Sequence, residues 1–356
     1  AAAPAATTTT AAAVAPKKAS TARPADRAKL RLVKTITGNI SPKSVASSGT
    51  GFVTAQNMMY THTVTVYNAR TMRLVKTIPD TVNLAELGYP KFPGESQGAP
   101  VEAAFSPDGH YGYVSNYSMY GANFGPEGTD TCEPGSGYDR SFVYRINMES
   151  LAIDRAYRVG VVPKVVSATP DGRHVLVSNW CSWDLSVIST DLGREVRRIP
   201  IGPYPRGIAI TPNGNAAFVA IMGDENLLRI DLRTWKTRTV HIGWGPRALA
   251  FEPQGRYIYA SLNDEGRVVR RDLWTGRETS TTTGSRPRSL AISADGTALY
   301  VVNYDSGTLS KIRTRDMKVV QDIPACEHPI GITYDAAMAR VWAACYGGEI
   351  LVFNDR

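Results

Sequence analysis

A period of 41 to 42 residues, opened each time by a proline, constrains what this chain can fold into more than any other feature. The prolines Pro163, Pro205, Pro246, Pro287 and Pro329 fall 42, 41, 41 and 42 residues apart. Upstream, Pro100 opens APVEAAFSPDGHYGYVS and Pro42 opens SPKSVASSGTGFVTA, each followed by a longer unit that carries an insertion, which makes seven units. Self-similarity at a fixed period means that each unit buries its apolar face against its neighbours, so one large repeat domain overrides the two-domain expectation set by length.

Each unit parses into four short strands. In the fourth unit these are Gly207 to Thr211, Ala216 to Ile221, Asn226 to Asp231 and Thr237 to Ile242, bounded by the turn signals PNG, DEN and DLRTW. Apolar and polar residues alternate, β-branched residues are enriched, and no segment keeps a helical period. Four strands in about 41 residues is the grammar of a propeller blade. The predicted fold is therefore all-β, a seven-bladed β-propeller of four-stranded blades over residues 30–356. The last unit supplies only three strands before Arg356, which would leave an open sheet edge. Leu30 to Thr37, LRLVKTIT, resembles the fourth strands MRLVKTIP and MKVVQDIP, and is expected to close the ring. Insertions interrupt the period at residues 79–99 and 117–139.

Residues 1–29 are Ala, Thr and Pro with almost nothing that could form a core, and a disordered tail is expected there. Lys17, Lys18, Arg23, Arg27 and Lys29 against Asp26 give this tail half of the formal net charge of +8. The globular part is then only mildly basic, which argues against a nucleic-acid partner. No run approaches the ~18 apolar residues that read as a membrane-spanning helix. A chain beginning AAAPAA looks like the product of cleavage at small residues, so an exported, extracellular protein is expected. Four cysteines without a CxxC or Cys/His ligand spacing fit two disulfides better than a zinc site. Neighbouring blades suggest Cys132–Cys181 and Cys326–Cys345, although four cysteines allow three connectivities.

Units such as PRGIAITPNGNAAFVA and PRSLAISADGTALYVVNYDSGTLSKIRTRDMKVVQDI resemble the YVTN-type seven-bladed β-propellers. In that family the repeat runs from a Pro and a short strand through a Pro-Asp-Gly turn to a tyrosine-valine strand and a further strand ending near Asp. The resemblance covers residues 30 to 356. It implies the fold and leaves the activity open, since its members include binding proteins, surface antigens and secreted proteins.

In a four-strand blade the loops after the second and fourth strands share one face. Both insertions and all four cysteines fall there, as does the residue after each blade-opening proline. Those residues are Lys43, Val101, Lys164, Arg206, Arg247, Arg288 and Ile330. Five of the seven are basic and should ring the mouth of the central channel, where low dielectric concentrates positive potential. Two readings follow. The ring either holds an anion, or it is stapled to Asp184, Glu225, Asp264, Glu265 and Asp305 in the loops of the same face. Tyr89, Tyr120, Trp180, Trp183 and Trp244 belong to the same face and could form a protein or glycan interface. His62 and His328, from blades adjacent across the ring closure, could also meet there. No GxSxG, HExxH, phosphate loop or EF-hand pattern is present, and no cofactor or metal is expected.

The leading expectation is a non-catalytic, secreted binding or adaptor module that holds a protein partner through the insertion face, with the tail docking into another subunit of an extracellular assembly. One alternative is an anionic polymer or glycan binder, or a binder of small anions, using the Lys/Arg ring. The other is a lactonase- or lyase-like enzyme using His328 and an Arg of the channel.

Overall fold

The computed structural model describes residues 24–356. Twenty-eight strands form seven antiparallel four-stranded blades, and one further short strand extends the second blade. The fourth blade consists of Pro205–Ile210, Ala216–Ile221, Asn226–Asp231 and Thr237–His241, within two residues of the sequence-derived bounds. Its three inner strands are mostly buried, whereas outer strands such as Lys318–Pro324 alternate between exposed and half-buried positions. That alternation belongs to an antiparallel sheet with one face in water.

Polar residues set the turns at fixed places. In the turn after the first strand, Thr169 donates to Asp171, Ser293 to Asp295 and Thr211 to Asn213. In the turn after the third, Asp231 accepts from the backbone N–H groups of Arg233 and Thr234, and Asp272 from those of Trp274 and Thr275. These are side-chain mimics of a backbone turn. Between blades the apolar faces interlock: Leu176, Leu185 and Val187 of the third blade pack on Ile208, Val219 and Ile230 of the fourth. Each such side chain contributes ~1.5–3 kcal/mol of burial.

Arg31–Ile36 closes the ring by pairing antiparallel with Glu349–Asn354, from Arg31 opposite Asn354 to Ile36 opposite Ile350. Ahead of it, the chain is ordered further than composition suggested. Ala25–Arg27 is a 3-10 turn whose Ala25 N–H donates to Asp295 and whose Asp26 pairs with Arg315 at 2.9 Å. Ala25 and Ala28 are small enough to bury against the sixth and seventh blades, so the expected tail boundary at residue 29 moves back to residue 24 at least. The rest of the expected tail, residues 1–23, lies outside the described residues. A fully buried ion pair, Lys311 with Asp355, locks the junction; Lys311 also donates to the Ala28 carbonyl at 2.9 Å and Tyr300 to Asp355.

Both insertions build on the second blade. Thr81–Asn83 pairs with Glu95–Gln97 as a fifth strand, and Tyr117–Gly121 continues the blade's second strand. The insertions are therefore partly sheet. Cys132–Cys181 and Cys326–Cys345 are bonded, with Cα separations of 5.2 and 6.1 Å. Two disulfides suggest a compartment other than the reducing cytoplasm. Among the described residues no helix is long and apolar enough to cross a membrane.

Candidate functional site: a cationic basin at the channel mouth

The repeat delivers one residue per blade to the channel by the same device. The residue before the opening proline takes a left-handed conformation in five blades, at Val162, Tyr204, Gly245, Arg286 and His328 (φ 51 to 66°). The register with the second strand then breaks directly after the proline, between Pro163 and Val166, Pro205 and Ile208, Pro246 and Leu249, and Pro287 and Leu290. A bulge of this kind re-aims a side chain and frees a carbonyl from the ladder. A serine of the preceding blade takes up that carbonyl in four cases: Ser115 donates to Lys164 O at 2.5 Å, Ser178 to Arg206 O at 2.7 Å, Ser261 to Arg288 O at 3.1 Å and Ser289 to Ile330 O at 2.6 Å. Adjacent inner strands approach so closely that a Cβ on Gly207 would lie 2.5 Å from Arg247 O. Glycine is required there.

Lys43, Lys164, Arg206 and Arg247 are each 4 to 5% exposed, and Arg288 is half-buried. Three of them, Arg206, Arg247 and Arg288, line a cavity of about 140 Å³ together with Glu102, with Val165, Ile208, Leu249, Leu290 and Ile332 as its apolar wall. A larger groove of about 780 Å³ between the outer strands of the seventh and first blades is lined mostly by Thr, Ile and Tyr. It brings no buried, unpartnered charge together, which leaves the smaller cavity as the candidate site.

The five cations meet two carboxylates. Lys164 donates to Asp130 at 3.1 Å, and Arg206 lies 3.8 Å from Glu102. The stapling pairs expected from sequence do not form. Asp184 binds Arg198 (3.3 Å), Glu225 lies by His241 (3.6 Å), Asp264 accepts from Asn263 (2.8 Å), Glu265 binds Arg267 (2.5 Å) and Asp305 binds Arg286 (3.1 Å). Each acid is taken by a cation or amide of its own blade before it can reach the ring. Among the described residues Lys43, Arg247 and Arg288 have no carboxylate partner. Arg247 has only the Met222 sulfur at 3.8 Å, Arg288 lies over the Tyr304 ring at 3.8 Å with its Nε buried and unbonded, and Lys43 lies 5.5 Å from the Tyr346 ring centroid.

The electrostatic consequences follow from burial and like charge. Burial, then Arg206 and Arg247, holds Lys43 well below the ordinary lysine range. Burial brings Lys164 down to about 7 even though Asp130 opposes it. Burial, then Arg206, weakens proton binding at Arg247 and Arg288. Burial also keeps the Tyr346 hydroxyl protonated above its usual range, against the pull of Arg206.

The aromatic residues of the face mostly serve packing. Tyr89 anchors the first insertion, donating to Ala156 O at 3.2 Å and meeting Phe142 edge-on at 4.9 Å. Tyr120 packs on His62, and its hydroxyl is pushed up to about 12 by burial and Glu127. Trp180 is buried, donates to Asp130 O at 3.1 Å and packs on Tyr204 at 4.7 Å, with Trp183 at 6.0 Å from the same ring. Only Trp244 of the five is broadly exposed, at 51%. His62 and His328 do not meet as a pair: His62 Nδ1 is bonded to Gly98 O at 2.8 Å, and His328 stacks on Tyr304 at 4.5 Å. Glu102, Asp130 and Tyr346 are the basin residues that the sequence reading missed. Glu102 carried a signal, as an acid one place beyond the ring position in a blade whose ring residue is the apolar Val101.

A profile of the family described as Cytochrome D1 heme domain matches residues 239–347, just under a third of the chain. No curated protein matches. Among solved structures the chain is similar to Kuenenia stuttgartiensis hydrazine synthase, with a TM-score of 0.69 and 17% identity, over 89% of this chain and 96% of that one. At that identity the likeness shows the fold alone, and 1648 chains of solved structures match it. The basin does not fit the haem that the profile's description names. Its cavity is well below the ~300–1,000 Å³ of a cofactor site, no His, Cys or Met lines it, and His62 and His328 are engaged elsewhere. The chain is thus a seven-bladed propeller with partial likeness to a haem-domain family.

Proposed function

We propose that this protein is an exported binding propeller, built on YVTN-type repeats, whose channel mouth captures a small multivalent anion bearing two or more carboxylate or phosphate groups. The carrying observation is that Arg247, buried, and Arg288, half-buried with its Nε buried and unbonded, have no carboxylate partner among the described residues. A buried charge without a partner destabilises a fold, so an anion arriving from outside is favoured by more than a surface pair would be. Two guanidinium groups without a carboxylate partner and a cavity of about 140 Å³ suit a compact di- or tricarboxylate. The adaptor reading has less support, since four of its five aromatic residues are at least half-buried and pack the face together.

The test is titration calorimetry of the full chain with citrate and with acetate at low and physiological ionic strength. Citrate is expected to bind at one site, with affinity falling as salt rises, and acetate to bind far more weakly. Equal, negligible heats for both anions at low salt would refute the reading.

A further inference from the structure

The cations are not spread evenly. Lys164, Arg206, Arg247 and Arg288 occupy four consecutive blades, the third to the sixth. Lys43 of the first blade stands alone between the apolar ring residues Val101 and Ile330. In a ring of seven the first blade faces the fourth and fifth. Lys43 therefore looks across the channel at Arg206 and Arg247, in keeping with their being its strongest charged neighbours. Among the described residues it has neither a carboxylate nor a hydrogen-bond partner, only the Tyr346 ring 5.5 Å from its Nζ, whereas Lys164 has Asp130 and Arg206 has Glu102. The Lys43 side chain is buried, and among the described residues its Nζ makes no hydrogen bond.

Burial and adjacent cations shift an amine toward its neutral form, and that form is the nucleophile toward carbonyl carbon. The groups acting on Lys43 are Arg206, Arg247 and Lys164, which favour the neutral form, and Glu102, which opposes it. A carboxylate seated on the arginines would direct the rest of a small ligand toward the opposite wall. There the lysine stands beside Tyr346.

We propose that Lys43 condenses with the carbonyl group of a small 2-oxo acid whose carboxylate is held by Arg206 and Arg247. This rests on the anion-binding reading of the same basin. The Nζ lone pair forms a bond to the carbonyl carbon, the carbonyl oxygen gains a proton and the nitrogen loses one, giving a carbinolamine. The C–O bond then breaks, its electron pair leaving with the hydroxyl, which takes a second proton and departs as water. The nitrogen lone pair forms the C=N bond. One water is released for each imine formed, and nothing is oxidised or reduced. Tyr346, protonated in the folded chain, and Glu102 are the basin groups suited to donating and accepting these protons.

The experiment incubates the full chain with pyruvate or glyoxylate and sodium cyanoborohydride, which reduces an imine to a stable secondary amine, followed by intact-mass analysis and peptide mapping. A single saturable adduct on Lys43, suppressed by citrate, is expected. Lys43→Arg removes the primary amine and should abolish the adduct. Lys43→Met, checked for an unchanged melting transition, gives the same loss of adduct if arginine does not fit. No adduct on the wild-type chain, an adduct mapped to Lys164, or equal labelling of exposed lysines in wild type and variant would each overturn the proposal. Citrate binding measured on the same samples separates the two readings. If citrate binds and no adduct forms, only the imine fails; if citrate does not bind, the basin reading fails with it.

Discussion

Replacing Arg247 with methionine separates a ligand site from a structural staple, because the two readings predict opposite signs for stability. The guanidinium is 5% exposed, its one hydrogen-bonding contact is the Met222 sulfur, and Arg206 and Arg288 repel it while Glu102 compensates in part. Exchanging a buried, poorly compensated charge for an apolar group of similar volume stabilises by ~1–4 kcal/mol where it has been measured. An unfolding entropy of about 2.1 cal/mol/K per residue over roughly 330 residues makes each kcal/mol worth ~1.4 °C, so a rise of ~1.5–6 °C is expected for Arg247→Met. Citrate binding should move the other way. Loss of a charge-assisted hydrogen bond of ~1.5–3 kcal/mol weakens affinity ~10- to 150-fold. Differential scanning fluorimetry without added anion reads the first effect, and calorimetry with citrate reads the second. In wild type, citrate at ~100 times its dissociation constant should add ~2.7 kcal/mol, or ~4 °C, an increment that falls to ~0.3–1.4 kcal/mol, or ~0.4–2 °C, in the variant at the same concentration. A variant that melts several degrees lower than wild type and binds citrate equally well would refute the reasoning, since Arg247 would then stabilise the ring.

Two further outcomes concern the fold that holds the basin. Lys311→Met leaves the fully buried Asp355 carboxylate with Tyr300 alone, a loss of ~3–5 kcal/mol and ~4–7 °C by the same conversion; Lys311→Met with Asp355→Leu should recover most of it, and thermal unfolding of the single and double variants measures both. Asp80 is fully buried with neither carboxylate oxygen bonded, and burial pushes its carboxyl well above the usual range. The folded chain thus keeps a proton that the unfolded chain releases, so stability is greatest below the unfolded value near ~4 and falls as pH rises toward the folded value. Asp80→Asn removes that titration, and wild type should lose melting temperature relative to the variant as pH is raised from about 4 toward neutrality; parallel profiles for the two proteins would count against it.

The fold was legible because the proline period, the four-strand grammar and the fourth-strand likeness of LRLVKTIT are local patterns that each unit repeats. The disulfides followed from the blade parse, as the loops of adjacent blades on one face are neighbours in space. Side-chain partnership was less legible. Asp184 and Asp305 lie on the expected face, yet each is closer to a cation of its own blade, Arg198 and Arg286, than to the ring. A face assignment also cannot tell an exposed aromatic from one packed beneath an insertion, and Trp180 and Tyr89 are of the second kind. Residues 24–29 read as tail by composition. What orders them is a fit of small side chains and one ion pair to distant blades, which no local pattern encodes.

The distribution of counter-charge argues further about the basin than the number of cations does. The other acids of this face pair within their own unit, as in Arg267 with Glu265 and Arg286 with Asp305. The ring cations have no such repeated partner. Their two carboxylates come from the one blade that carries the insertions: Glu102 at the start of its inner strand and Asp130 in a loop pinned by Cys132–Cys181. Asp130 lies beside Lys164 and Glu102 beside Arg206, which leaves Arg247 and Arg288 on one wall without a carboxylate partner and the Lys43 amine on the other. A ring shaped by repetition alone would be matched everywhere or nowhere. This one is matched on one side, so a ligand's charges belong on the remaining side, and the carboxylate-binding arginines and the free amine face each other across the space it would fill.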